Sequence, residues 1–291
     1  MWQGRQAQLT NNLGKRYLPV KRPLPLKFCG FCGYWYLFSL SKTLKPHAKP
    51  LDIQFIYFDL DDTLLDHHSA QEAALEDVFN HYTLFEENGV TYSIFKEKYA
   101  GVNKKLWLAY AQHKIERPYL QFHRFYDTLE ALSFNSVNDL DALSKEMGEY
   151  YIGQYADHWR WMDGAEEAFN QIRQNFPIGL MTNGFAETQR KKCKRFDLYD
   201  KSEELVIAEE VGYMKPQPEI FRHATEKSGY EPQHIRFVGD SYHDDIQGAH
   251  PHGWKTAWYN PKNKSPEDNP PVADFTFSDF DELVTWLNNQ K

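Results

Sequence analysis

The chain has 291 residues, which is enough for one large domain or two modest ones with a sizeable core. Hydrophobic residues make up 41% and charged residues 25%, an ordinary composition for a soluble globular protein. The net charge is −8, and all 41 acidic residues lie after residue 51, so the body of the chain repels nucleic-acid backbones and we expect no nucleic-acid partner.

Residues 1–50 are basic and contain an apolar run over residues 28–40. The run is too short to span a bilayer, which needs about 20 residues, and no clear signal-peptidase site follows it. We expect residues 1–50 to be a poorly ordered extension, or upstream sequence translated from a misplaced start. The protein is then cytoplasmic, with no membrane partner. Cys29 and Cys32 resemble half a zinc knuckle or a redox pair, but His47 alone lies near them, so we favour neither role.

A regular pattern begins at residue 51. Residues 53–58 are β-branched and aromatic, which predicts a buried strand. Residues 69–155 then show helical periodicity without strand-like runs, which predicts an insertion of four or five helices. Further strands are predicted at 177–181, 205–207, 235–238 and, last, 256–259, with helical patterns at 165–174, 189–196, 218–228 and 244–250.

Alternation of strands and helices predicts a parallel sheet covered on both faces. We therefore expect an α/β fold with a doubly wound, Rossmann-like sheet and an inserted helical cap. Residues 51–68 and 160–291 would form the core, and residues 69–159 the cap.

Polar residues suited to phosphate and metal follow four of the predicted strands. Because ligands bind beyond the carboxyl ends of parallel strands, we expect these residues to converge. They are Asp59 and Asp61 after the first strand, Thr182, Asn183 and Gly184 after the second, Lys215 after the third, and Asp240, Asp244 and Asp245 after the fourth.

Hydrolysis of a phosphomonoester requires such a set. A carboxylate nucleophile splits the reaction into formation and hydrolysis of an aspartyl-phosphate, provided that cations offset the negative charge. Mg²⁺ and Lys215 supply those cations, and the Thr182 hydroxyl with nearby backbone N–H groups binds the phosphate oxygens. Asp61 would protonate the leaving oxygen and later take a proton from water. Each piece alone also fits a solvated turn or a helix cap. Their order, each at a strand end, favours the phosphatase interpretation.

The stretch from Asp59 to Thr63 resembles the DxDxT first motif of the haloacid dehalogenase-like (HAD) superfamily, and Thr182, Lys215 and Asp240 occupy its later motifs in order. The resemblance covers residues 53–287 and implies a subfamily I helical cap. A carboxylate at Asp61 is similar to the phosphatases of the superfamily and unlike its dehalogenases.

That resemblance also implies roles for individual residues. Asp59 would be the nucleophile and Asp61 the acid/base. The phosphate-binding set would be Thr182, Asn183 and Lys215, and the metal ligands Asp59, the backbone carbonyl of Asp61, Asp240 and Asp245. We prefer Asp245 to Asp244, because residues 245–249 resemble the continuation of the family motif.

A narrower resemblance, to bacterial pyrimidine-nucleotide 5′-phosphatases, is carried by residues 102–107, 182–185, 209–212 and 258–260. It implies nucleoside monophosphates as substrates, with Trp107 stacking on the base and Asn103 bonded to its edge. The alternative for Trp107 is packing among the cap helices. We expect His67 and His68 to be solvated.

Other functions stay open. The same chemistry on phosphoglycolate or a sugar phosphate is one alternative, and a non-catalytic binding protein that kept the fold is another. We expect a monomer or a small homo-oligomer.

Overall fold

Residues 53–134, 139–266 and 271–290 of the chain are described by a computed structural model. The basic N-terminal segment, with Cys29 and Cys32, lies outside the described residues.

One six-stranded sheet forms the centre of the fold. Its strands are β1 (Phe55–Phe58), β2 (Ile178–Thr182), β3 (Glu204–Ile207), β4 (Ile235–Gly239), β5 (Lys255–Tyr259) and β6 (Phe275–Phe277). All pairings are parallel, in the order β3-β2-β1-β4-β5-β6. The predicted doubly wound α/β fold is confirmed. Since β1 lies between β2 and β4, the strand order reverses beside it, which makes its carboxyl end the expected ligand site.

The side chains of β1 alternate between the two faces of the sheet, as strand geometry requires. Ile56 and Phe58 pack with Phe169 in one hydrophobic cluster, whereas Phe55 and Tyr57 belong to a second cluster on the opposite face. Burial on both faces explains why β1 reads as an unbroken apolar run. It also holds the end of β1 in a fixed position.

Helices cover both faces of the sheet. They are α6 (Ala165–Ile172), α7 (Ala186–Arg195), α8 (Leu198–Lys201), α9 (Ala208–Val211), α10 (Pro218–Ser228) and α11 (Phe280–Asn288), with single turns at Pro232–His234, Tyr242–Gln247 and His250–His252. The turn at Tyr242–Gln247 is a wide π-helical turn, where a regular helix over 244–250 was predicted. Here β5 was predicted to be the last strand, which is wrong. β6 is a three-residue strand at the edge of the sheet, too short to give a periodic pattern. The helix α11 follows it, with Phe280, Leu283 and Leu287 buried at helical spacing, and it was not predicted either.

Five helices lie between β1 and α6, and together we call them the helical insertion. They are α1 (His67–His81), α2 (Leu84–Glu87), α3 (Tyr92–Ala111), α4 (Arg117–Ala131) and α5 (Leu140–Asp157). They share an aromatic-rich core of their own, built around Phe85, Phe95, Phe125 and Tyr151. No helix in the described part of the chain is both long and apolar enough to cross a membrane.

Two segments connect the helical insertion to the sheet, and they pair with each other. Leu65 and Trp161 form an antiparallel bridge, and the Met162 N–H donates to the Leu64 carbonyl over 2.8 Å. Asp66 caps α1 through the Ser69 N–H. We propose these paired segments as the boundary between core and cap, close to the predicted divisions at 68/69 and 159/160.

Candidate active site

A cavity of about 130 Å³ opens at the carboxyl ends of β1, β2 and β4. The residues predicted at the strand ends all line it, although they come from four separate parts of the chain. The lining residues are Asp59, Asp61, Thr182, Asn183, Gly184, Lys215, Asp240, Ser241, Asp244 and Asp245.

Lys215 lies at the centre of the cluster and is 4% exposed. Its Nζ lies 2.6 Å from Asp59 Oδ1 and 2.7 Å from Asp245 Oδ1, and it also donates to the Met181 carbonyl over 3.2 Å. Burial acts to lower the pKa of the ammonium group, but the two carboxylates outweigh it and raise the pKa. Lys215 is therefore a permanent positive charge beside Asp59.

Three of the four predicted metal ligands bring their carboxylates together, and the fourth, Asp61, was predicted to bind through its backbone carbonyl. Asp59, Asp240 and Asp245 each place an oxygen within 4.8 Å of the others. Burial raises the pKa of all three, and the pKa of Asp240 rises to about 7 because Asp245 and Asp62 add repulsion. The single positive charge of Lys215 does not balance three carboxylates, of which Asp59 and Asp245 are buried and Asp240 is half-buried. A divalent cation with a preference for oxygen ligands fits this donor set.

Asp245 and Asp244, which the sequence analysis compared, have different surroundings. Asp245 is 1% exposed and accepts from the Ser241 N–H as well as from Lys215. Its carboxylate lies directly over Gly239, where any Cβ would overlap it. Asp244 instead lies 2.8 Å from the exposed His243 ring. Asp245 thus belongs to the carboxylate cluster.

Thr182, the last residue of β2, and Asn183 directly after it also line the cavity. Thr182 is 1% exposed, and its hydroxyl accepts from the Gly184 N–H over 3.3 Å. The Asn183 side chain accepts from the Lys215 N–H and donates to the Lys215 carbonyl, at 2.7 and 2.9 Å. Asn183 therefore fixes the loop that carries Lys215. Because the side chain of Asn183 is engaged with the Lys215 backbone, its backbone N–H is the group that can make the predicted phosphate contact. That contact stays a prediction.

Asp61 is held by two side chains that sequence reasoning missed, both on α7. Gln189 Nε2 donates to Asp61 Oδ2 over 2.7 Å, and Lys192 Nζ lies 2.5 Å from Asp61 Oδ1. Burial acts to raise the pKa of Asp61, but Lys192, His67 and Gln189 outweigh it and lower the pKa. A Cβ at Gly184 would overlap the Gln189 side chain, so any other residue there would displace the amide that holds Asp61. One signal was present: Gln189 and Lys192 share the inward face of α7 with Cys193 at helical spacing.

The same lysine joins Asp61 to the helical insertion. Lys192 is 1% exposed and donates to the Tyr155 hydroxyl over 2.7 Å. That hydroxyl lies 2.6 Å from His67 Nδ1. The prediction that His67 is solvated is wrong, because the first turn of α1 faces α5 here. The other predicted histidine, His68, is exposed as expected.

A second cavity, which we call the leaving-group cavity, lies between the sheet and the helical insertion. It has a volume of about 60 Å³, and Asp61 and Gly184 line it as well as the first cavity. Trp107 lines this cavity and stacks on Phe185, with ring centroids 4.8 Å apart. Trp107 therefore packs against a neighbour and also borders the cavity. Asn103 is not among the lining residues.

The fold and the site match a known family. The model of the haloacid dehalogenase-like hydrolases matches residues 53–253, so the chain belongs to that family, and the predicted superfamily is confirmed. A particular relative is pyrimidine 5′-nucleotidase YjjG of Escherichia coli (strain K12), 33% identical over 80% of this chain and 97% of its own.

Two further relatives extend the comparison. Glyceraldehyde 3-phosphate phosphatase of Pyrococcus abyssi is 28% identical over 71% of this chain and 81% of its own. A crystal structure of HAD-hydrolase YfnB from Bacillus subtilis, bound to magnesium and revealing interdomain movement in YfnB, superposes with a TM-score of 0.66. It is 27% identical and covers 81% of this chain and 99% of YfnB. The family and its phosphatase members confirm the predicted enzyme class, a HAD-type phosphatase.

Proposed function

We propose that this enzyme is a Mg²⁺-dependent phosphomonoester hydrolase that acts through an aspartyl-phosphate on Asp59, with a nucleoside 5′-monophosphate as its substrate. The observation that carries the proposal is the placement of Asp59 against Lys215 and beside two further carboxylates, the buried Asp245 and the half-buried Asp240. Such a cluster is costly to fold and serves to handle charge on a bound ligand.

The first half of the reaction forms a bond from a carboxylate oxygen of Asp59 to phosphorus and breaks the ester P–O bond. Asp59, Asp240 and Asp245 would hold Mg²⁺, which supplies positive charge to the phosphoryl oxygens when bound. Lys215 holds Asp59 and adds its own charge beside the transferring group. The Thr182 hydroxyl and adjacent backbone N–H groups bind the remaining oxygens.

Asp61 acts on the two protons of the cycle. It gives a proton to the leaving alkoxide in the first half and takes one from the attacking water in the second, which releases phosphate and restores Asp59. Its place between the two cavities is where the bridging oxygen of a bound ester would lie. Lys192 keeps the carboxylate ionised for the second half, and an approaching phosphate dianion favours the protonated form needed for the first.

The nucleotide substrate is supported by the likeness to YjjG and by the aromatic lining of the leaving-group cavity. Nucleobases bind between aromatic side chains in many sites. A second candidate, a small phosphorylated metabolite, is favoured by the likeness to a glyceraldehyde 3-phosphate phosphatase and by the size of the cavity. At about 60 Å³ the cavity is far below the roughly 300 Å³ of typical ligand pockets, so a nucleoside requires the helical insertion to move.

A panel of phosphomonoesters assayed with Mg²⁺ tests the proposal. We expect UMP and dUMP to be hydrolysed with higher kcat/KM than phosphoglycolate and sugar phosphates, and EDTA to abolish the activity until Mg²⁺ is restored. Equal rates on all substrates would defeat the nucleotide assignment and leave the chemistry standing. Activity that persists in EDTA would contradict the metal, and no turnover of any ester would favour a non-catalytic binding protein. The cytoplasmic location and the oligomeric state stay predictions.

A further inference from the structure

Arg124, on α4 of the helical insertion, is a buried charge that has no hydrogen-bond or ion-pair partner for its side chain in the described part of the chain. It is 6% exposed. Within the described residues its Nε has no hydrogen-bond acceptor, and its guanidinium forms no ion pair within 4.0 Å. Its guanidinium lies over the ring of Tyr151, with Cζ 5.7 Å from the ring centroid.

Arg117, seven residues earlier on the same helix, provides a contrast. Its guanidinium lies 2.7 Å from Glu187 and 3.6 Å from Glu209, both on the core side. Arg117 is more exposed than Arg124 and yet better paired. Of these two arginines, the more buried Arg124 has the greater need for an anion or a carbonyl group, and it is the one without such a partner among the described residues.

Arg124 also lines the leaving-group cavity. Asp61 lines the same cavity and also lines the cavity that holds Asp59 and Lys215. A phosphomonoester with its phosphorus at Asp59 would therefore direct its leaving group past Asp61 toward Arg124. Both proposed contacts can be made by one molecule, with the phosphate at one end and the second contact at the other.

An unpaired buried cation destabilises the folded protein, because burial removes its hydration without replacing it. Packing does not account for arginine at this position, since an apolar side chain would fill the space without that cost. A ligand that brings an acceptor does account for it. A guanidinium group carries five N–H donors and no acceptor, so it selects oxygen-bearing groups and rejects amino groups.

We propose that Arg124 determines specificity by donating hydrogen bonds to an oxygen acceptor on the leaving group, at the end remote from the phosphate. The inference rests on the proposed phosphatase function and deepens it. Two groups share this chemistry: the carbonyl oxygens of a uracil or thymine base, and the carboxylate of a phosphorylated hydroxy acid. An ester whose leaving group lacks an acceptor gains nothing from Arg124.

The test compares three substrates in four proteins. UMP carries base carbonyls, phosphoglycolate carries a carboxylate, and phenyl phosphate carries neither. The proteins are the wild type, Arg124→Leu, Arg124→Lys, and the control Arg222→Leu, which alters an exposed arginine paired with Glu219 on α10. Binding of the products uridine and glycolate, measured by calorimetry, gives a readout that does not depend on turnover.

In Arg124→Leu we expect kcat/KM for UMP or phosphoglycolate to fall about 10- to 100-fold, the range for a lost hydrogen bond to a charged group. Phenyl phosphate should change less than about two-fold, and the melting temperature should stay level or rise, because a buried unpaired charge is removed. Arg124→Lys should recover part of the loss. A loss confined to UMP and uridine identifies the base carbonyl as the acceptor, and one confined to phosphoglycolate and glycolate identifies the carboxylate.

Three results would overturn the inference. They are equal losses on all three substrates, no loss on any substrate, or a melting temperature of Arg124→Leu below that of the wild type, which would show that the buried charge stabilises the fold. The proposed function fails separately, when the wild type turns over none of the esters. In that case product binding still decides the role of Arg124. If Arg124→Leu binds uridine as tightly as the wild type does, and glycolate as tightly as the wild type does, the inference is refuted.

Discussion

The carboxyl ends of the strands and the helical insertion differ in how they pair buried charges. At the carboxyl ends of the strands, Lys215 lies within 2.7 Å of Asp59, and Lys192 lies equally close to Asp61. In the insertion, Arg124 is almost as buried and has no such partner among the described residues. The groups that would act on phosphate are thus assembled before a ligand arrives, whereas the group that would recognise the leaving group waits for its partner.

This difference has a physical reason. Every phosphomonoester presents the same phosphoryl group, so a preorganised charge arrangement suits all of them and needs no reorganisation during reaction. Leaving groups differ from one another, and a site built for one must leave a polar group to be satisfied by that one. The following predictions test the division, from the largest effect to the smallest.

Asp59→Asn should abolish turnover of every substrate, with a loss on the order of 10⁴-fold or more, because an amide cannot act as the nucleophile. Folding should survive, since the amide has nearly the shape of the carboxylate and can still accept from Lys215. Steady-state kinetics with the melting temperature as control measures both effects. Residual turnover near the wild-type rate would show that the chemistry does not occur at the carboxyl ends of the strands.

Lys215→Met should lower kcat about 10²- to 10³-fold on all substrates alike, the size expected for losing one preorganised charge at the transferring group. Asp59 and Asp245 would then face each other without their shared cation, and breaking a buried pair costs about 3–5 kcal/mol of unfolding free energy. Denaturant unfolding with and without Mg²⁺ measures the second effect. Mg²⁺ should stabilise the variant more than the wild type. If Lys215→Met is as stable as the wild type in the absence of Mg²⁺, the predicted cost of losing the ion pairs is contradicted.

Lys192→Met should lower kcat about 10-fold, again by the same factor on every substrate, because Lys192 positions Asp61, which all substrates share. The adjacent Lys191 is a matched control, since it is exposed and paired only with Glu187 on its own helix. Lys191→Met should change kcat less than about two-fold. A loss in Lys192→Met that differs widely between substrates would place Lys192 in recognition and weaken the comparison.

Trp107→Leu should raise KM for UMP about five-fold and leave phosphoglycolate, which has no ring, nearly unchanged, since an aromatic contact with a base contributes about 1 kcal/mol or more. Leu108, the next residue on α3 and largely exposed, provides the control variant Leu108→Ala. Kinetics on both substrates decides the matter. Equal changes in KM for both substrates would assign Trp107 to packing against Phe185 alone.

Local patterns in the sequence predicted most of the sheet. The buried run of β1 and the acidic residues after it were recognisable because strand propensity and strand ends are properties of a few neighbouring residues. The order Asp59, Thr182, Lys215 and Asp240 along the chain was sufficient to predict that these residues converge, and they line one cavity. β6 was missed because three residues at a sheet edge carry too short a pattern to distinguish from a loop.

The sequence by itself determined the chemical groups of this protein: which carboxylates, which lysine and which hydroxyl stand at the ends of buried strands. Only the tertiary structure decided the pairings. Helical spacing places Lys192 on the inward face of α7, but nothing in the sequence identifies Asp61 as its partner. Nothing near Arg124 marks it as unpaired either, because a partner is found, or lacking, across more than a hundred residues of chain or between separate helices. Burial determines how much free energy an unpaired charge costs, and burial is a property of the packed fold.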